Sequence, residues 1–67
     1  MSVYEMSANE LYMAYGNNAT PEELLDQGRT VIAQRLMNEE GLTQEAAYYA
    51  TDRILEIAQE AIDSRQQ

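Results

Sequence analysis

Thr20-Pro21-Glu22-Glu23-Leu24-Leu25 is the stretch whose reading decides how this chain folds. Thr at a helix N-cap offers its hydroxyl to a free backbone N–H of the first turn. Pro at the first helical position lacks only an N–H that would have no partner there, and Glu at the third reaches back to the cap. Beyond this start, Leu24, Leu25, Gly28, Val31, Ile32 and Leu36 fall within an arc of about 140° at helical spacing, the stripe of a helix packed on a core. Gly41 ends that helix near Glu40, because glycine readily takes the left-handed conformation that closes a helix. The spacing predicts one helix over 21–40.

Working outward in both directions gives two more helices. Upstream, Ser7-Ala8-Asn9-Glu10 is a second capping box and opens a helix over 7–15, which Gly16-Asn17-Asn18 stops. Downstream, Thr43 caps a third over 44–64, with Ala46, Ala50, Ile54, Ile57, Ala58 and Ala61 on one side. The tail Arg65-Gln66-Gln67 is expected to fray. No alternating apolar and polar run reaches strand length and no long-period repeat occurs, which disfavours sheets and solenoids. The expected fold is all-α, a single domain over 1–67. It is a small bundle of three helices, with a short first helix packed on an antiparallel hairpin of two longer ones. In such a hairpin Gly28 falls opposite Ala58, and two small residues there would mark a close crossing of the axes. The alternative is that Gly28 merely costs about 1 kcal/mol of helix propensity.

With 67 residues, the chain buries only about 60% of its unfolded surface, so its stability is thin. It contains no Cys and no His, which removes disulfides, thiolate metal sites and the commonest general base. Twelve acidic residues against four arginines give a formal charge of −8. That balance repels polyanions and steers the protein toward basic surfaces. Direct nucleic-acid binding and membrane binding are therefore not expected. The start Met1-Ser2-Val3-Tyr4-Glu5 has neither the basic residues nor the apolar run of a signal peptide, and a cytoplasmic location is expected.

The inventory for catalysis is poor. Carboxylates, Tyr, Thr, Ser and Arg form no recognised nucleophile–base pair, so no enzyme activity and no cofactor are expected. Asp52, Glu56 and Glu60 would suit a hard cation by type alone, but the loop of alternating oxygen ligands around a central Gly is absent, and no metal is expected.

Surface chemistry is more informative. Asp52, Glu56, Glu60 and Asp63 project within an arc of about 80° on the third helix, a ridge of like charge with only Arg53 beside it. A charge run of this kind is ordinarily a solvated face. The sharper reading is mimicry of a nucleic-acid backbone, since carboxylates four residues apart lie about 6 Å apart along the axis, close to phosphate spacing along one strand. Glu22, Glu23, Asp26, Glu39, Glu40 and Glu45 would extend the surface.

A second feature is an apolar seam of Tyr48, Leu55 and Ile62, recurring every seven residues on the flank of the third helix away from Ala46, Ala50 and Ile57. Either the first helix folds over it, using Leu11 and Tyr15 with Val3, Tyr4 and Met6, or it is a homodimer or target interface. Tyr48 and Tyr49 diverge by about 100°, so at least one of them is expected at the surface. Arg35 falls inside the apolar stripe of the second helix; it either snorkels to water or is a candidate anchor for a partner.

The Ser7 to Leu36 stretch, a capped first helix followed by an apolar second one, resembles helical-hairpin inhibitors of bacterial sporulation kinases. It departs from them in lacking a basic end to the second helix, and none of their residues carries over. In size and charge the chain is similar to small phage proteins that inhibit host defences, such as anti-CRISPR proteins. These resemblances imply a small acidic inhibitor or regulator, phage-encoded and directed at a host defence or nucleic-acid-binding protein. The residues themselves point to a protein partner with a basic groove, met by charge mimicry or by the apolar seam. The competing expectation is a homodimeric helical adaptor or structural module.

Overall fold

In a computed structural model, residues 2–66 are described. They form a 3-10 turn, Val3–Glu5, and four α-helices: α1 Ala8–Tyr15, α2 Pro21–Gln27, α3 Arg29–Glu40 and α4 Gln44–Arg65. Among the described residues there is no strand, and the fold is all-helical. Of the tail expected to fray, Arg65 closes α4 and Gln66 caps it, while Gln67 lies outside the described residues.

The starts of α1, α2 and α4 follow from their caps. The Glu10 N–H donates to Ser7 Oγ at 3.1 Å and the Glu10 carboxylate accepts from the Ser7 N–H at 3.1 Å. Thr20 and Glu23 exchange the same pair of bonds at 3.2 Å each, and the Ala46 N–H donates to Thr43 Oγ1 at 3.2 Å. Each cap is preceded by an apolar residue packed on the core: Met6, Ala19 and Leu42. Four positions into each of these three helices stands a fully buried residue: Leu11, Leu24 and Ala47. Apolar residues flanking a cap in this way fix the angle at which the chain enters the helix.

The single helix expected over 21–40 is two helices. Gly28 separates them with φ 92° and ψ 160°, a region of backbone space that is essentially reserved for glycine. A Cβ at Gly28 would meet no atom within 4 Å, so the residue marks a break in the backbone, not a close crossing against Ala58. The break turns α3 about its axis relative to α2. In a continuous helix Val31 would share the direction of Leu24 to within about 20°, yet Leu24 is fully buried and Val31 is 55% exposed. Ile32, Ala33 and Leu36 face inward in its place. The three-helix bundle is thereby corrected to four helices.

Helix α4 is the hub, in contact with the 3-10 turn and with α1, α2 and α3. Its buried face is Ala46, Ala47, Ala50, Thr51, Ile54 and Ala58. Four alanines keep that face low, which lets several elements pack on one helix at close range. The buried Thr51 hydroxyl donates to the Ala47 carbonyl at 2.7 Å, so it enters the core satisfied. Gly41, at φ 69°, turns the chain from α3 into α4. Arg29 and Asp52, almost equidistant from that turn, meet across the hairpin, as an antiparallel pair requires.

Candidate functional site

The ridge of α4 is less uniform than its spacing implies. Asp52 accepts two hydrogen bonds from Arg29, from Nε at 2.7 Å and from Nη2 at 3.2 Å. The carboxylate holds the guanidinium pKa above its ordinary value, chiefly through that hydrogen bonding. The Arg29 guanidinium also lies 4.4 Å from the Tyr48 ring centroid, where the π face attracts a cation. Glu56 pairs with Arg53 at 2.9 Å. Asp63 accepts from the Gln59 amide at 3.0 Å. Glu60 is exposed and has no hydrogen-bond or ion-pair partner among the described residues. Two cations therefore stand on the N-terminal half of the ridge, one more than the sequence places there, and Glu60 and Asp63 form its uncompensated end.

The apolar seam is largely used by the fold. Tyr48 and Leu55 pack against the buried cluster, and Ile62 is half-buried. Arg29 of α3 covers the Tyr48 ring. Tyr4 packs at a tilt against Tyr49, with ring centroids 5.0 Å apart, and Arg53 lies 6.0 Å from the same Tyr49 ring. Both Tyr48 and Tyr49 are half-buried, each beside a different arginine. The Arg53 Nε is buried there without a hydrogen-bond acceptor among the described residues.

Arg35 is also occupied. It donates to the Gln27 side-chain oxygen at 3.1 Å and to the Tyr15 carbonyl at 3.5 Å, and it pairs with Glu39 at 3.7 Å. With a side chain only 20% exposed, it ties α3 to the ends of α2 and α1 across the Gly28 break. The fourth arginine, Arg65, donates to Glu22 and holds that carboxyl below its usual range.

All four arginines are thus paired with carboxylates: Arg29 with Asp52, Arg35 with Glu39, Arg53 with Glu56 and Arg65 with Glu22. Of the twelve acids, four are so engaged and eight are not. The formal charge of −8 is therefore carried by acids that no arginine offsets. Among the described residues no group of His, Cys, Asp or Glu is arranged to hold a metal ion, and no helix is long and apolar enough to cross a membrane.

One exposed feature was missed by sequence reasoning. On α1, Leu11 is fully buried while Met13 is 82% exposed. Met13 and Ala14, with Met6, Asn9 and Glu10, line an open depression. The signal was present, because two residues of helix separate side chains by about 160°, which aims Met13 away from the core that Leu11 enters.

These features define a small acidic all-helical protein. Comparison with protein-family models, with curated proteins and with solved structures gave no match.

Proposed function

We propose that this protein acts by binding, without catalysis, as a small inhibitor or regulator of a larger protein that presents a basic surface. The observation that carries this reading is the pairing of every arginine with a carboxylate, which leaves eight acids without an arginine partner. Such a surface attracts cationic grooves, including those built for a nucleic-acid backbone. Glu60 and Asp63 at the C-terminal end of α4, with Glu45 on the same side of that helix, are the residues that would meet such a groove; Asp52 and Glu56 already hold cations of their own.

The test is affinity capture from a lysate with the immobilised wild type and with the triple variant Glu45→Gln, Glu60→Gln, Asp63→Asn. The expected result is a basic protein retained by the wild type, released by moderate salt or by added duplex DNA, and lost with the triple variant. Retention of the same proteins by both, or release by neither salt nor DNA, would remove charge recognition from consideration.

A further inference from the structure

On the reading of the protein as a binder of basic partners, we propose that the outward face of α1 docks a cationic amphipathic helix of the partner. Among the described residues Met13, 82% exposed, is the most exposed large apolar residue; the others are Val31 at 55% and Tyr4 at 50%. It does not stand alone, since Met6 and Ala14 join it in one open depression of about 500 Å³. Methionine side chains are unbranched and polarisable and adapt to varied apolar partners, which suits them to a binding surface. Helix α1 has eight residues and is about 12 Å long, so it offers room for about two turns of a partner helix.

Charge decides which helix. Glu10 lines the depression itself and Glu5 lies in the turn just before it. Both carboxylates are held in place by local backbone donors, Glu10 by the Ser7 N–H and Glu5 by the Ser2 N–H at 3.2 Å. No arginine lines the depression, and all four are paired elsewhere. A second copy of this chain would set Glu5 and Glu10 against the same two carboxylates, with no unpaired arginine to meet them. A helix with an apolar stripe flanked by Lys or Arg would instead cover the methionines and neutralise the rim.

The experiment is a fluorescence titration of the full chain with three synthetic 18-residue peptides, each used at concentrations where it is monomeric. One carries Leu and Lys at amphipathic helical spacing, one has the same composition scrambled, and one replaces Lys by Glu. The Leu/Lys helix is expected to bind, more weakly as salt rises, and the other two are not. Met13→Ser changes an exposed side chain and leaves the fold intact, as a circular-dichroism melt would check. It is expected to weaken the Leu/Lys helix by about tenfold or more. Equal binding of the ordered and scrambled peptides, or of wild type and Met13→Ser, would overturn the docking site while leaving the acidic reading standing. Failure of all three peptides would also overturn it, and the capture experiment would show separately whether the broader reading falls with it. A mass that doubles with concentration in the wild type but not in Met13→Ser would overturn it in favour of a second copy as the occupant.

Discussion

Residues 21–40 and helix α4 are nearly equal in length and both carry an apolar stripe at helical spacing, yet the first is two helices and the second is one. The difference lies in what each has to cover. Helix α4 presents a low face of alanines to every other element, and a straight rod serves all of them. Residues 21–40 lie on one side of that rod and must place Leu24 and then Ile32, Ala33 and Leu36 against it. A continuous helix would aim Leu24 and Ala33 about 180° apart. The turn at Gly28 brings both inward, and Arg35 bridges it through Gln27. Unbroken periodicity in a sequence is therefore not the same as an unbroken helix.

The contrast is open to direct tests. Ile54→Ala, at the fully buried centre of the hub, is expected to lower unfolding stability by about 2–5 kcal/mol. Val31→Ala, in the same apolar stripe as Leu24 by spacing but solvent-facing, is expected to cost less than about 0.5 kcal/mol. Urea unfolding followed by circular dichroism compares the two, and similar losses would mean that Val31 is buried after all. At Gly28 the sign alone decides. If residues 21–40 were one helix, Gly28→Ala would stabilise by about 1 kcal/mol. With φ at 92° a side chain is strained, and a loss of about 1–3 kcal/mol is expected.

The smallest effect joins the two regions at their far ends, where Arg65 of α4 hydrogen-bonds Glu22 of α2 and lowers its pKa below the ordinary 4.5. A carboxyl depressed on folding binds fewer protons folded than unfolded, so its contribution is complete above 4.5 and is lost as pH falls through the depressed value. Glu22→Gln should therefore melt slightly below the wild type at neutral pH and low salt. The gap should close on acidification and on adding salt. A gap that persists at low pH would assign the loss to packing.

How much could be read in advance follows the range of each interaction. The capping pairs Ser7–Glu10 and Thr20–Glu23 were legible because each partner stands three residues from the other, and local geometry brings them together. Arg29 and Asp52 are 23 residues apart, and nothing in either neighbourhood names the other. For the same reason the acidic ridge was found, as a spacing on one helix, while the cation at its upper end was not. The seam of Tyr48, Leu55 and Ile62 was recognised, but its partial use by α3 depended on where the hairpin placed Arg29. Met13 was overlooked although its direction follows from that of Leu11.

The sequence by itself determined three of the four helix starts, the turn at Gly41, the all-helical class and the large acidic excess, because caps, left-handed turns and composition act within a few residues or over the whole chain regardless of fold. The tertiary structure alone decided that Gly28 breaks a helix, that Arg29 and Arg65 meet carboxylates on other helices and that α4 is the hub. Glycine is compatible with both the helical and the mirror-image extended backbone, so its conformation is chosen by what the flanking side chains must bury. Ion pairs across a hairpin exist only once its register is set.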